Sequence, residues 1–363
     1  MTYELETAPE IRDAVAARAA RGVFCSANLS EEWYQAYLGW WRTRHGFSME
    51  KDWLLFTTST IAAISCMVRR FTAPAEQVLL MTPAVPAYFD AITGNGRQVT
   101  ESPLQNHGGA YEIDFDDLER RLADPHTTLM LLNNPHSSTG SIWDRAALER
   151  IGLLTAKHQV MVIADESLCD LTDPGKPYVP FASVSAQCRE NSITCVGPAE
   201  AFHLAGLQTA AVVIPNAVMR HKAGRALQGN GAAEPGVFAA DAAIAAFTKG
   251  AAWLDARRAH IRANKDFAAA YLEKELPSVK AATSEAADRL WLDCGRLLGC
   301  AEEAADFIRE KTGLSLSAGG RYGRNSEAFL CMNAACSRDA LRADLDRLRD
   351  GLAAYEAFVL ARC

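Results

Sequence analysis

No apolar run in this 363-residue chain approaches the roughly 18–20 residues that a helical bilayer span requires, so no membrane partner is expected. Cysteine is plentiful, but its usual signatures are absent. The ten are Cys25, Cys66, Cys169, Cys188, Cys195, Cys294, Cys300, Cys331, Cys336 and Cys363; none form C-x-x-C, and no Cys/His cluster has zinc spacing. Most lie in apolar stretches and read as free buried thiols, which points to a reducing cytoplasm and to no metal. Positive charge is not in excess. Lys and Arg number 37 against 44 Asp and Glu, a net charge of −7, which argues against a nucleic-acid surface. The opening residues, MTYELETAPEIRD, are acidic and polar, unlike a secretory signal. There is no internal repeat, low-complexity tract or flexible linker.

What is present suits a soluble two-domain protein with a large core: 49% hydrophobic and 22% charged residues. Residues 8–22 lack internal breakers and predict a helix. Residues 30–46 predict a second, with Ser30 as N-cap, Gly46 as stop, and Trp33, Tyr37, Trp40 and Trp41 as a packing face. Short apolar runs at 54–57, 77–81, 128–132, 159–164, 193–196 and 210–215 predict buried strands. Residues 114–122 predict an amphipathic helix, 237–254 and 257–276 two long ones, and 338–360 the last. Runs at 289–292 and 329–332 predict strands of a terminal α+β unit.

The stretch from Ile193 to Leu207, ITCVGPAEAFHLAGL, organises the rest: strand, then a loop carrying Glu200 and His203, then a second strand. Its loop, Gly197-Pro198-Ala199-Glu200-Ala201-Phe202-His203-Leu204-Ala205-Gly206-Leu207, resembles the cofactor-lysine loop of fold-type-I pyridoxal-phosphate (PLP) enzymes. The resemblance is to the aminotransferase-like C–S lyase (cystathionine β-lyase) branch, where the loop reads near Ser-Pro-Ser-Lys-Thr-Phe-Asn-Ile-Ala-Gly-Leu. Asn134, Pro135, His136, Thr139 and Gly140 match the family's Asn-Pro-His-Asn-Pro-Thr-Gly. Asp165-Glu166 matches the Asp-Glu whose aspartate pairs with the pyridine nitrogen.

The resemblance implies an α/β fold of fold type I: a mainly parallel seven-stranded sheet in a large domain (27–257), and a smaller α+β domain from 1–26 and 258–363. It implies a homodimer with sites at the interface and a small-molecule substrate. In the alignment, a family arm that lines the site falls before residue 1.

Five positions depart from the family pattern. Glu200 stands where the covalent lysine is expected, Val85 where an aromatic stacks on the ring, and Ser137 where an asparagine reaches the ring oxygen. The loop serines are missing, and Cys331 takes the place of the arginine that binds the substrate carboxylate. Thr58-Ser59-Thr60 stand at the phosphate turn, where hydroxyls serve either as anion grips or as ordinary N-caps.

These departures lead to the expectation of no cofactor: a repurposed, PLP-independent biosynthetic enzyme using Glu200 with Asp165, His136 or His203 as acid–base groups. Tyr88, Tyr322 and Cys331 are candidate substrate contacts. The residual cofactor positions are Ser59, Thr60, Asn134, Ser137 and Asp165. Two alternatives stay open: a non-catalytic partner of an active paralogue, and an enzyme holding PLP or pyridoxamine phosphate (PMP) without a covalent bond. Arg321 is a candidate ion-pair partner for Glu200.

Overall fold

The computed structural model describes residues 6–25, 28–295 and 300–361. The N-terminal part supplies α1 (Pro9–Ala20), α2 (Glu31–Arg44), β1 (Leu54–Thr57), α3 (Thr60–Phe71), β2 (Gln77–Thr82), α4 (Pro86–Thr93) and β3 (Gln98–Pro103). A small hairpin of β4 (Gln105–His107) and β5 (Ala110–Glu112) follows. Next come α5 (Phe115–Leu122), β6 (Thr127–Asn133), α6 (Arg145–Lys157), β7 (Met161–Asp165), α7 (Ala186–Glu190) and β8 (Ser192–Val196). The short α8 (Ala199–Phe202), β9 (Ala210–Val213) and α9 (Ala217–Gly229) lead to α10 (Ala239–Lys249) and α11 (Ala251–Glu275). The last elements are β10 (Lys280–Ala281), β11 (Arg289–Asp293), α12 (Ala301–Thr312), β12 (Ser317–Ala318), β13 (Phe329–Asn333) and α13 (Arg338–Leu360).

Seven strands form one sheet in the order β1-β9-β8-β7-β6-β2-β3. All neighbours are parallel except β9, which runs antiparallel to both β1 and β8. Helices cover both faces, so the central strands are apolar on both sides and read as continuous hydrophobic runs. Ile64, Met67 and Leu80 belong to the core on one face; Leu79, Met130 and Leu148 belong to the other. A third cluster carries the aromatic face of α2 onto α10: Trp33, Tyr37, Trp40 and Trp41 are buried around Phe247. Ile11 of α1 packs into the same cluster.

The second sheet is antiparallel, in the order β10-β11-β13-β12. Leu290, Leu292, Leu330 and Met332 face its helices α11, α12 and α13. Trp291 and Cys331, on the other face, pack with Tyr322 and Phe329.

Two local expectations are corrected. Ser30 occupies the N-cap of α2, but its hydroxyl accepts no capping bond. The break between the two long helices falls at Gly250, not near residue 255. Phe202 explains it: a Cβ at Gly250 would lie 2.5 Å from that ring, so only glycine lets the turn close over the loop before β9. Among the described residues, nine cysteines are free and seven of those are buried, while Cys363 lies outside them. No described helix is long and apolar enough to cross a membrane.

Candidate active site

Ligands of parallel sheets sit beyond the carboxyl ends of the strands. Here β6 and β7 end side by side, Asn133 opposite Asp165. The turn after β6 is bonded to that end. Asn133 Oδ1 accepts from the Ser137 amide at 2.6 Å, and the Asn134 amide donates to the Asp165 carbonyl at 3.0 Å. Gly140 completes the turn at φ +71°, and its carbonyl accepts from the amides of Glu285 and Ala286, tying the turn to the segment before β11.

Asp165 is 2% exposed. Its Oδ1 accepts from the Ser167 amide at 3.0 Å and its Oδ2 from the Tyr88 hydroxyl at 2.8 Å. Burial raises its pKa, and the bonds from Ser167 and Tyr88 oppose that rise. Burial and the Asp165 charge push the Tyr88 phenol well above its ordinary value, so Tyr88 stays the donor. A carboxylate offers about four lone-pair sites, so Asp165 keeps room for another donor. Ser137 Oγ and Ser138 Oγ are buried with no hydrogen-bond partner among the described residues. Buried hydroxyls are ordinarily paired, so the turn holds two open hydroxyls beside the buried carboxylate.

Glu166 points the other way and is structural. Its carboxylate accepts from Asn134 Nδ2, the Phe181 amide and the Tyr178 hydroxyl. Burial still raises its pKa to about 7. The unfolded value is lower, so this group favours folding most below that value and loses the benefit as pH rises through 7. The loss amounts to about 3 kcal/mol. The Tm difference between Glu166→Gln and the parent is therefore expected to move in the variant's favour from pH 5 to pH 8. A pH-independent difference would remove Glu166 as the cause.

His136 is buried, with Nδ1 against Thr139 Oγ1 at 2.9 Å and Nε2 3.4 Å from the Met81 carbonyl. Burial lowers its pKa to about 4, so it is neutral and holds the turn. Ser59 caps α3, its Oγ accepting from the Ala62 amide at 3.1 Å. Thr60 is the first residue of that helix.

The Glu200 loop is locked from below. Arg257 Nη1 donates to the carbonyls of Glu200 (2.7 Å) and Ala201 (2.6 Å), and Nη2 reaches Asp288 Oδ2 at 3.3 Å. Phe202 stacks on Trp253 at 5.9 Å, and His203, at φ 57°, packs edge-on against the same indole. His203 thus lies toward α11, while the carboxyl group of Glu200 feels Asp165. Burial raises the Glu200 pKa, as do the charges of Asp288 and Asp165; Arg289 and Arg257 oppose them. Arg321 is not the partner of Glu200. It lies exposed in the turn before Gly323, and the cations acting on Glu200 are Arg289 and Arg257.

Tyr322 is buried against Trp291 at 5.0 Å, its carbonyl accepting from the Ala84 amide at 2.7 Å. Burial pushes its phenol up to about 12. Cys331 is buried on β13 opposite Trp291; burial raises its thiol pKa and Arg289 opposes this.

Sequence reasoning missed Arg289 because it opens an apolar strand run, RLWL. It also missed His45, Cys169 and Asp170, whose possible ligand atoms lie within 4.8 Å of one another. That trio is already engaged: Asp170 Oδ1 is 3.0 Å from His45 Nε2 and accepts from Trp40 Nε1 at 3.1 Å, with Arg44 3.5 Å away.

The seven-stranded order and the buried aspartate at the end of β7 define the fold-type-I aminotransferase architecture, α/β with a mostly parallel sheet. The chain belongs to the family described as aminotransferase class I and II, which matches residues 3–348. It is 36% identical over 346 residues to the cystathionine beta-lyase PatB of Bacillus subtilis, covering 95% of this chain and 89% of that protein. The PLP-bound C–S lyase of Staphylococcus hominis superposes with a TM-score of 0.91 at 26% identity, covering 96% of this chain and 89% of that one. Cystalysin of Treponema denticola, which contains a pyridoxal 5′-phosphate cofactor, gives 0.94 at 25% identity, covering 97% and 90%.

These relatives overturn two expectations. A PLP-independent pocket and an absence of cofactor do not agree with lyases and PLP-bound structures that match nearly the whole chain. The expectation rested on five lost family contacts taken together; the buried Asp165 carboxylate and the unpartnered Ser137 and Ser138 hydroxyls are still there.

Proposed function

We propose that this chain is a PLP-class enzyme of the C–S lyase or aminotransferase type, acting on a small amino acid and holding PLP or PMP through noncovalent contacts. The observation that carries this reading is Asp165: a buried carboxylate at the carboxyl end of β7, beside the buried, unpartnered Ser137 hydroxyl. The residues fit the cofactor. Asp165 would meet the protonated ring nitrogen, Ser137 the ring oxygen, and the free amides at the start of α3 the phosphate. When bound, the cofactor supplies an electron sink.

The loop from Gly197 to Leu207 contains no lysine. Glu200 is therefore the ionisable group placed to hold or move a proton there, and its raised pKa suits that work. Tyr88 keeps Asp165 oriented through its 2.8 Å bond. A homodimer belongs to the same reading and is checked by sedimentation.

The test is an absorbance titration of the purified protein with PLP and PMP. A cofactor band that survives gel filtration but is lost on denaturation is expected. Glu200→Lys should instead keep the cofactor through denaturation after borohydride treatment. If the parent shows no band with either cofactor, the proposal fails.

A further inference from the structure

We infer that Arg289 is the anion anchor of this pocket, taking the carboxylate of the substrate from β11, one strand away from Cys331. The inference rests on the proposed amino-acid chemistry for the identity of its ligand.

Strand register places it. Arg289 lies opposite Asn333 and Trp291 opposite Cys331, so these four side chains share one face of the small sheet. The leucines that alternate with Arg289 and Trp291 along β11, Leu290 and Leu292, face the helices instead. Arg289 is thus a diagonal neighbour of Cys331, on the face that carries Tyr322.

The guanidinium is largely enclosed, with its side chain 19% exposed. Its nearest anion is Asp288, with Oδ1 3.8 Å from Nε, beyond hydrogen-bond reach. Asp288 is itself shared, because its Oδ2 accepts from Arg257 at 3.3 Å. Among the described residues, the terminal nitrogens of Arg289 donate no hydrogen bond. A guanidinium has five donors in a planar fork that matches a carboxylate, so an enclosed fork with open donors is a receptor for one. The positive charge also bears on Glu200, Tyr322 and Tyr88, from the loop, the turn and the helix that converge on it. Glu200 is then a built-in competitor for the same cation.

The probe is maleate, a small dicarboxylate, titrated calorimetrically into the full-length protein and into Arg289→Met, Arg289→Gln and Arg289→Lys. Losing a charged hydrogen-bond pair should weaken binding about tenfold to a hundredfold in the Met and Gln variants, and less in the Lys variant. Cys331→Arg in the Arg289→Met background should recover part of the loss, and Glu200→Gln alone should tighten binding. Circular dichroism melts select the variants that fold, and Arg289→Lys keeps the buried charge if the other two do not. Maleate affinity unchanged in a folded Arg289 variant, or no maleate binding by the parent, overturns the inference. PLP titration of the same samples separates the two claims. A missing cofactor band defeats the proposed function, while the maleate series judges Arg289 on its own.

Discussion

Asp165→Asn is expected to lower turnover of an amino-acid substrate in the PLP-loaded protein at least about a hundredfold, the scale of removing one oriented electrostatic partner from a reacting centre. The fold should not suffer. The amide oxygen can still accept from the Ser167 amide, and its NH2 can donate to the Tyr88 oxygen, so both contacts of the carboxylate have a neutral counterpart. The charge that vanishes is one that burial already disfavours, which is why the Asp165 pKa is raised. Thermal stability should therefore hold or rise while activity falls. Kinetics and a melting curve on the same preparation decide the matter. A parallel collapse of Tm would show that Asp165 is chiefly a packing group, and undiminished turnover would remove it from the site.

Gly140→Ala should destabilise the protein by about 3 kcal/mol or more, from backbone strain at positive φ added to overpacking. Gly140 sits at φ +71°, which costs any residue with a Cβ. An added Cβ would also strike Ser284 Oγ and approach the Ala286 carbonyl to 2.6 Å. That carbonyl already accepts from Lys265 Nζ at 2.9 Å, and the amide of the same residue donates to the Gly140 carbonyl at 2.9 Å. The segment therefore cannot retreat without breaking a buried network. Urea unfolding measures the effect; a change under about 1 kcal/mol would show that the contact yields more easily than the geometry implies. Cofactor affinity should drop with stability, since the same turn presents Ser137.

Most of the fold is legible because buried parallel strands are short apolar runs between turn residues. The runs at 54–57, 77–81, 128–132 and 193–196 coincide with β1, β2, β6 and β8 within a residue at most ends. β3 escapes because it is an edge strand, QVTESP, with polar residues and mostly partial burial. The placement of Gly250 depends on Phe202, and no pattern within the helical sequence announces that contact. The site is legible where a motif is contiguous, as at Asn134–Gly140 and Asp165. Arg289 is not, because its role comes from strand pairing across the small sheet and from a neighbour, Asp288, already engaged by Arg257. The cofactor was misjudged because departures from a motif reveal lost contacts but not the unpartnered hydroxyls that stay behind.

The antiparallel β9 also sets the order of synthesis against the order of the strands in space. Among the described residues, β1 is an edge strand whose only sheet neighbour is β9, with Leu54 across from Val213 and Thr57 across from Ala210. On the ribosome, Leu54–Thr57 emerges long before its partner and must wait, with an unpaired backbone edge, while the parallel strands are made. Parallel strands are themselves slow to pair, since each contact closes a long loop first. The last strand of the large sheet to be synthesised is therefore the one inserted between the first strand and the centre, so synthesis order and spatial order run against each other at that edge.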